Sequence, residues 1–335
     1  MKKVIITGAS GFIGSFLVEK ALSLGWQVWA GIRKSSSREY LQDSRIEFVD
    51  LEFSNVNRLT GQLSDFVEKY GGIDYIIHNA GVTKCLNSDD FDKINFKYTA
   101  NLIEAINTAN ISLGKFVLMS SLSAYGIGDE VNYTPIKTAD IPNPNTAYGE
   151  SKIKAERFLE EKAAFSYIIM RPTGVYGPRE KDYFLMLKTV KSGLDVGAGF
   201  KSQHLTFIYV KDLVDAVYLA LESSVRNKGY FVADGDVYTD KEYTALVKKI
   251  LGKKYVLSLK VPLSVLKVIS VISEEISKFT KKPSTLNRDK YKIMKQRNWE
   301  CDITPLVQDL GFSPKYNLER GLRESVEWYK KNHWL

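Results

Sequence analysis

Short apolar runs rich in β-branched residues alternate with longer segments of helical periodicity through the first half of the chain. Such an alternation predicts parallel strands joined by helices that cover both faces of one sheet. The predicted strands are Lys3–Thr7, Gln27–Ile32, Arg45–Val49, Ile73–His78, Lys115–Ser120 and Ser166–Arg171, and two predicted helices are Phe12–Leu24 and Asn55–Tyr70. The expected fold class is α/β, a Rossmann-type, doubly wound parallel sheet.

Beyond about residue 172 the pattern becomes mostly helical. The predicted helices are Asp212–Glu222, Asp240–Leu251, Pro262–Phe279 and Leu318–Lys330, and the predicted strands are Thr206–Val210 and Tyr230–Ala233. We expect a sheet domain over residues 1–172 and a smaller, mainly helical lobe over residues 173–335, with some crossing of the chain between them. A cleft between two such lobes is the usual place for a ligand.

The charge of the chain is unevenly distributed. The 335 residues carry 47 basic and 39 acidic side chains, a net charge of +8, and residues 278–297 alone contribute +7. The remainder is nearly neutral, so we expect no nucleic-acid partner. The two cysteines and three histidines are too few and too scattered for a disulfide framework or a metal site, and they fit a cytoplasmic location.

A glycine-rich turn follows the first predicted strand. Residues Thr7–Gly14 read Thr-Gly-Ala-Ser-Gly-Phe-Ile-Gly, and a helix is predicted to begin within them. Gly8 allows the tight turn, Gly11 lets backbone N–H groups approach a pyrophosphate, and Gly14 allows close packing of helix and strand. The motif predicts that residues 1–172 bind a dinucleotide, and its contacts include Ser10, Phe12 and Ile13.

The end of the second strand distinguishes the two nicotinamide dinucleotides. An NAD site usually places an acidic residue there to accept from the ribose 2′-hydroxyl. In this chain the strand runs into Arg33 and Lys34, and the first acid is Glu39. Two cations at this point suit a 2′-phosphate, so we expect NADP in preference to NAD. The alternative is an exposed basic loop without a ligand.

Tyr148 and Lys152 are four residues apart and therefore share one face of a predicted helix. A neighbouring ammonium and an oxidised nicotinamide would lower the pKa of the phenol, which could then exchange a proton with a substrate oxygen. The same spacing occurs at Tyr133/Lys137 and Tyr291/Lys295. Only Tyr148 begins a helix between two predicted parallel strands, downstream of a serine pair at a strand end, Ser120 and Ser121.

These motifs resemble those of the extended short-chain dehydrogenases/reductases, the NAD-dependent epimerase/dehydratase family. The resemblance covers nearly the whole length. The segments that carry it are Thr7–Gly14, Asp50-Leu51, His78–Gly81, Asn95–Thr99, Ser120–Gly126, Tyr148–Lys152, Arg171–Pro178, Val210–Leu213 and Trp328-Tyr329.

The resemblance implies roles for individual residues. Ser121, Tyr148 and Lys152 match the catalytic serine, tyrosine and lysine, and Asn95 matches a site-lining asparagine, for which a helix N-cap is the alternative. The other matches to cofactor-binding positions are Asp50, Leu51, Asn79, Ala80, Gly81, Thr83, Ser120, Pro172, Thr173 and Val175, and the expected substrate contacts are Ser123, Tyr176, Leu205 and Asn95.

Two departures from the family pattern bear on the reaction. Dehydratases of the family carry an Asp-Glu pair after the serine-position hydroxyl, where this chain has Leu122 and Ser123. Nucleotide-sugar epimerases usually carry an arginine seven residues before the aspartate that matches Asp212, where this chain has Leu205; Lys201 or His204 could substitute only in part. We therefore expect an oxidoreductase acting on a largely apolar alcohol or ketone. The alternatives are a nucleotide-sugar 4-epimerase that retains its cofactor and a non-catalytic dinucleotide sensor.

Two expectations concern partners. The resemblance implies a homodimer in which the helices near Asp89–Ala109 and Tyr148–Lys162 form a four-helix bundle. In Pro262–Phe279 one helical face is apolar and a basic run follows, which suits either a membrane-surface helix or a lid or core helix of the second lobe; we favour the second interpretation. The apolar residues of that face are Val265, Val268, Ile269, Ile272, Ile276 and Phe279.

Overall fold

Seven parallel strands form one sheet in the computed structural model, which describes residues 1–280 and 286–335. The strands are β1 (Lys3–Thr7), β2 (Gln27–Gly31), β3 (Ile46–Val49), β4 (Tyr75–His78), β5 (Lys115–Met119), β6 (Tyr167–Pro172) and β11 (Lys228–Val232). Their order is β3-β2-β1-β4-β5-β6-β11. The direction of winding reverses between β1 and β4, and ligands of such sheets bind at the carboxyl ends of the strands beside that point.

Helices cover both faces of this sheet. They are α1 (Phe12–Ser23), α2 (Val56–Tyr70), α3 (Asp89–Phe91), α4 (Tyr98–Thr108), α5 (Ala147–Lys162) and α7 (Val210–Glu222), with a π-helical stretch at Asp92–Lys97 and a 3₁₀ turn at Leu122–Ala124. Successive residues of β1 point to opposite faces, so Val4 and Ile6 pack with α1 and α7, whereas Ile5 packs with α2, α4 and α5. The predicted doubly wound sheet is confirmed.

Helix α2 shows how local sequence sets these elements. Its apolar residues Leu59, Leu63 and Phe66 recur at helical spacing and are buried against the sheet. The side chain of Asn55 accepts the Arg58 N–H at 3.1 Å and caps the first turn. Gly71 ends the helix in a left-handed conformation, with φ of +75°.

The rest of the chain forms a smaller region of helices and two-stranded ribbons. Its helices are α6 (Asp182–Lys191), α8 (Asp240–Ile250), α9 (Leu263–Thr280), α10 (Arg288–Lys295), α11 (Thr304–Leu310) and α12 (Leu318–Lys331). The ribbons pair β7 (Gly174–Tyr176) with β10 (Phe207–Tyr209), β8 (Leu194–Ala198) with β13 (Leu257–Val261), and β9 (His204–Leu205) with β12 (Tyr238–Thr239).

Residue 172 does not divide these two regions cleanly. Strand β11 pairs in parallel with β6 and completes the sheet, although β6 precedes the expected boundary and β11 follows it. Helix α7 packs against α1 on one face of the same sheet. The predicted strand Tyr230–Ala233 therefore belongs to the sheet domain, and not to the second lobe in which we expected it.

Helix α9 lies at the surface and its apolar stripe is exposed. The residues turned inward are Leu266, Ser270 and Ser277, so the stripe is not part of a packed core. That half of the preferred interpretation is wrong, and the other half, a lid of the second lobe, stays a prediction. Of the basic run at 278–297, Lys281 and Lys282 lie outside the described residues. Within residues 1–280 and 286–335, no helix combines the length and apolarity that crossing a membrane requires.

Candidate active site

The glycine-rich turn lies at the carboxyl end of β1 and has the geometry of a phosphate-binding turn. Gly8 has φ of +66°, and a Cβ atom there would lie 2.8 Å from the backbone of Ala80. A Cβ atom on Gly14 would lie 2.1 Å from the Gly8 carbonyl oxygen, so helix and strand are in close contact. Gly11 precedes α1, and among the described residues no side chain caps that helix or places a carboxylate in its first turn. These features fit the diphosphate of a dinucleotide.

The loop after β2 meets the end of β3 at the edge where an adenosine ribose would lie. Arg33 and Lys34 are both exposed, as a phosphate-binding role requires. The Asp50 carboxylate accepts the Lys34 N–H at 3.2 Å, so an acidic group is present at the same corner. Leu51 is buried in the core on the α2 face, and only its backbone neighbourhood is available to a ligand.

The loop after β4 lies between the glycine turn and α5, the helix that carries Tyr148 and Lys152. The amide of Asn79 donates to the Gly8 carbonyl at 3.4 Å, and the Ala80 N–H donates to the Thr7 hydroxyl at 3.1 Å. A Cβ atom on Gly81 would lie 3.4 Å from the Lys152 ammonium, so this loop passes directly beside the candidate catalytic lysine. Thr83 is exposed at its outer end.

Asn95 holds the loop after β4 in place. We expected it either to line the site or to cap a helix, and the structure agrees with neither role. It lies inside the π-helical stretch, so it does not cap a helix, and it is 1 % exposed, so it does not line an open site. Its amide accepts the Val82 N–H at 2.8 Å and donates to the Val82 carbonyl and to the Ser151 hydroxyl, each at 3.0 Å. Asn95 therefore joins the loop after β4 to α5.

His78 connects the glycine turn to the first turn of α4, a role that the sequence did not suggest. Its Nδ1 lies 2.9 Å from the Thr7 hydroxyl and its Nε2 lies 3.0 Å from the Thr99 hydroxyl. Since Thr99 donates its proton to the Asn95 carbonyl, Nε2 must be the protonated nitrogen and Nδ1 must accept from Thr7. Burial and the Lys152 charge lower the pKa of His78 to about 3, in agreement with a neutral ring.

Ser121, Tyr148 and Lys152 come together at the carboxyl ends of β5 and β6. Helix α5 begins after Thr146, whose hydroxyl accepts the Gly149 N–H at 3.0 Å, and its first turn places Tyr148 over the site. Ser121 lies near enough to the Tyr148 hydroxyl to act on its pKa, which it lowers. The Lys152 ammonium lies 5.9 Å from the centre of the Tyr148 ring and donates to the Met119 carbonyl at 2.8 Å.

The pKa of Tyr148 is shifted in the direction opposite to our expectation. Burial raises it to about 12, and the hydrogen bond from Ser121 offsets this only in part. Burial also lowers the pKa of Lys152 to about 8, against the attraction of Glu156. With this pKa the phenol is protonated at neutral pH, which suits a group that donates a proton to a substrate oxygen.

Behind Lys152 lies a buried ion pair that the sequence analysis missed. Glu156 accepts from Arg171 through Nε at 3.0 Å and Nη2 at 2.8 Å, and its other oxygen accepts from the Ser120 hydroxyl. This engages the Ser120 side chain, which leaves only its backbone for a cofactor. A signal was available, because Tyr148, Lys152 and Glu156 follow at intervals of four on one helix face.

A second missed residue comes from the far end of the chain. Asp289, in α10, accepts the Ala147 N–H at 2.9 Å and so contacts the helix end that carries Tyr148. A carboxylate at this position interacts favourably with the helix dipole. No pattern in the sequence could have paired residues 142 positions apart.

The expected substrate residues have different surroundings. Tyr176 is 2 % exposed, and its hydroxyl donates to the Asn317 carbonyl at 3.2 Å, so it is a core residue and the expected substrate contact is wrong. Ser123 is half-buried beside Ser121, to whose hydroxyl its N–H donates at 3.2 Å. Leu205 is half-buried in β9.

Pro172, Thr173 and Val175 occupy the carboxyl end of β6 and the start of β7. Pro172 ends β6, and the Thr173 N–H donates to the Val232 carbonyl of β11 at 3.1 Å. Thr173 and Val175 are both half-buried and follow the carboxyl end of β6, and the glycine turn follows the carboxyl end of β1 at the same edge of this parallel sheet. The edge of the sheet therefore offers a continuous row of candidate cofactor contacts.

A glycine turn on the first strand, with Ser, Tyr and Lys gathered at the same sheet edge, defines a dinucleotide-dependent enzyme of the extended short-chain dehydrogenase/reductase type. The profile of the NAD dependent epimerase/dehydratase family matches residues 4–233, and the chain belongs to that family.

Relatives of known name differ in their reactions. A UDP-glucose 4-epimerase of Vibrio cholerae is 24% identical over 338 residues, which cover 97% of this chain and 95% of the relative. A ceramide reductase of Caulobacter vibrioides is 24% identical over 336 residues, covering 99% and 96%. The structure of a Thermotoga maritima UDP-glucose 4-epimerase with UDP-glucose matches with a TM-score of 0.77 at 23% identity, over 99% of both chains. They share the fold and do not decide the substrate.

Proposed function

We propose that the protein is an NAD(P)-dependent oxidoreductase that interconverts a secondary alcohol and a ketone. The observation that carries this proposal is the placement of Tyr148 beside Ser121 and the buried Lys152 ammonium, which lies 5.9 Å from the centre of the Tyr148 ring. The nicotinamide, when bound, supplies or accepts the hydride at its C4. In the direction of reduction Tyr148 donates its proton to the carbonyl oxygen, Ser121 hydrogen-bonds to the same oxygen, and Lys152 stabilises the phenolate that remains.

The second part of the proposal is a largely apolar substrate. Leu205 stands where related epimerases carry an arginine, so a bidentate partner for a pyrophosphate is missing at that position. His204 does not replace it, because its Nδ1 lies 3.6 Å from a Glu300 carboxylate oxygen. Its ring also lies against that of Tyr133, with the two ring centres 4.0 Å apart. A carboxylate there repels a second anion. The likeness to a ceramide reductase, named for a lipid, agrees with this choice.

A nucleotide-sugar 4-epimerase is the alternative, favoured by the likeness to the epimerases of V. cholerae and T. maritima. It would use the same Ser121, Tyr148 and Lys152 but regenerate its cofactor in each cycle. The distinction is whether reduced cofactor is consumed or released during turnover. A sensor without catalysis is disfavoured, since Ser121, Tyr148 and Lys152 are all present at one edge of the sheet.

The cofactor proposed is NADP, with NAD as the alternative, and the exposed Arg33 guanidinium supports it. Arg33→Ala should weaken NADP binding about tenfold to a hundredfold, as expected for loss of one charge-assisted hydrogen bond worth about 1.5–3 kcal/mol. NAD affinity should change little. Titration calorimetry with both dinucleotides tests this; equal losses for both, or a wild-type preference for NAD, would show that Arg33 does not hold a 2′-phosphate.

The catalytic assignment is tested by Tyr148→Phe, which keeps the ring and removes the hydroxyl. Proton transfer by a positioned group contributes about 10²–10⁴ in rate, so kcat should fall by that factor while cofactor affinity is retained. The measurement is the rate of NADPH oxidation with a long-chain ketone as substrate. For the epimerase alternative, UDP-glucose is supplied instead, and its epimerisation is measured without net consumption of NADPH.

Tyr133→Phe and Tyr291→Phe are the matched controls, since each has a lysine four residues later. Both should keep near-normal rates. A Tyr148→Phe enzyme as active as the wild type, or a control as impaired as Tyr148→Phe, would contradict the assignment.

A cytoplasmic location is part of the proposal, because Cys85 and Cys301 are both free thiols.

A further inference from the structure

Helix α9 presents a continuous apolar stripe to the outside of the protein. The stripe falls on one side of the helix, at positions separated by three, four and seven residues. Its six side chains are between 45% and 91% exposed: Val265, Val268, Ile269, Ile272, Ile276 and Phe279. Single exposed apolar residues are ordinary, but a stripe of six along an 18-residue helix marks an interaction surface.

The stripe is not needed to hold the helix on the protein. Leu266, Ser270 and Ser277 form the side of α9 that is buried, and α10 packs along the helix. The buried side thus carries mostly small polar residues, and the apolar side is turned away from it. This is the reverse of a helix selected only to cover a core.

More exposed apolar residues lie on the ribbon that leads into α9. Leu257 and Leu259 of β13 are on one face of the ribbon, and Val196 of β8 is the register partner of Leu259. Phe200 is 75% exposed in the loop after β8, next to a glycine whose Cβ position lies 3.2 Å from Leu263 at the start of α9. The apolar surface therefore extends beyond the helix.

The positive charge around this apolar surface favours an anionic partner. Residues 253–297 contain twelve basic and three acidic side chains, a net charge of +9, which exceeds the +8 of the whole chain. Some of these charges are paired with carboxylates of the same chain, as in the contact of Lys260 with Asp240 and of Arg288 with Glu275. Others are exposed, including Lys254, Lys267 and Lys295. An occupant must be apolar at its centre and anionic around it.

We infer that α9 docks on the surface of an anionic lipid bilayer, with its stripe in the boundary between headgroups and acyl chains and the surrounding lysines against the headgroups. An amphipathic helix of this composition binds through buried apolar area and attraction to anionic lipid together. A second copy of the chain would bring the same positive charge against this face, and like charges oppose that pairing.

The docked face is close to the active site. Helix α10 packs on α9, and its Asp289 accepts the N–H of Ala147, the residue before Tyr148. The bilayer surface would thus be linked through α9 and α10 to the end of α5 that carries the candidate acid. The docking proposal does not depend on the proposed reaction, because its test needs neither cofactor nor substrate.

The test is co-sedimentation of the full-length protein with phosphatidylcholine vesicles, with and without phosphatidylglycerol. We expect binding to the phosphatidylglycerol vesicles that weakens as salt is added. The double variant Ile272→Glu/Ile276→Glu should bind at least about tenfold more weakly, since two exposed apolar contacts are lost and two charges repel the lipid. The control is Val131→Glu/Ile141→Glu, which makes the same change at two exposed positions elsewhere and should bind like the wild type.

Thermal unfolding of both double variants shows whether they fold, and all four positions are exposed enough to tolerate the change. Absence of wild-type binding to phosphatidylglycerol vesicles would overturn the inference, as would equal binding by the stripe variant. Sedimentation velocity without lipid addresses the competing occupant. Suppose that Ile272→Glu/Ile276→Glu is a monomer where the wild type and the control variant are dimers, and that the wild type does not bind vesicles. The stripe would then join two copies of the chain, and the lipid inference would be wrong.

Discussion

Lys152 links the chemistry of the site to the stability of the fold. Its side chain is 8 % exposed, and burial lowers its pKa to about 8 from the ordinary 10.5. Between these two values the unfolded chain binds a proton that the folded chain does not, so the free energy of unfolding must rise with pH in that window. The shift corresponds to about 3 kcal/mol. We expect the wild type to gain up to that amount over Lys152→Met as the pH is raised from 8 to 10.5.

Urea denaturation of both proteins across this window measures the gain. Lys154→Met is the control, since it removes an exposed lysine from the same helix and should leave the difference from wild type nearly flat. If the difference between wild type and Lys152→Met also stays flat, the ammonium is not desolvated in the folded protein. The proposed stabilisation of a phenolate by a poorly hydrated cation would then lose its basis.

At the scale of the first β–α unit, two glycines of one turn should respond in opposite ways. A side chain on Gly14 would overlap with the Gly8 carbonyl, which is backbone and cannot give way, so Gly14→Ala should destabilise the fold by about 1–3 kcal/mol. A side chain on Gly11 would meet its nearest neighbour, the same carbonyl oxygen, at 3.3 Å and otherwise point into the expected diphosphate site. Gly11→Val should therefore cost less stability than Gly14→Ala, and it should lose dinucleotide affinity.

Thermal unfolding and fluorescence titration with NADPH separate these outcomes. Gly25→Ala is a useful reference for stability, because open space surrounds that glycine while its φ of +70° adds strain of its own. Unchanged dinucleotide binding by Gly11→Val would mean that the diphosphate does not lie against this turn. A Gly14→Ala variant as stable as the wild type would contradict the close helix–strand contact.

The elements that the sequence predicted well are those whose pattern is local. The six early strands lie within a residue or two of their expected bounds, because each is a β-branched run between turn residues. The two-residue strands β9 and β12 are too short to carry a pattern. The strand near Tyr230 was found but misplaced, because parallel pairing with β6 joins residues about sixty positions apart, and periodicity says nothing about partners.

The same limit applies to the candidate site. Ser121, Tyr148 and Lys152 were predictable, since a strand end and a helix start bring them together by adjacency in the fold. Asn95 and His78 were visible as motif residues, but their roles depend on which loop they meet. The contacts of Glu156 with Arg171 and of Asp289 with α5 depend on packing between distant segments. The raised pKa of Tyr148 depends on burial, which no spacing reveals.

At the scale of the whole molecule, the sheet depends on residues from the second half of the chain. The apolar core on the α1 face has 33 buried members among the described residues, and fourteen of them lie beyond residue 172, in β10, α7, β11 and the segment around α11. Without them β6 becomes an edge strand and one face of the sheet loses a covering helix. A sheet with an apolar face open to water is not stable as a monomer.

We therefore expect the fragment 1–172, although it contains the glycine turn, Ser121, Tyr148 and Lys152, to lack a cooperative unfolding transition and to bind no dinucleotide. Co-expression with the fragment 173–335 should restore both, because the missing strand and helix can then dock on the sheet. Circular dichroism during urea denaturation, together with NADPH titration, makes the comparison with the intact chain. A fragment 1–172 that unfolds cooperatively with near-native stability would show that the sheet domain ends at β6, and that α7 and β11 are additions to a self-sufficient core.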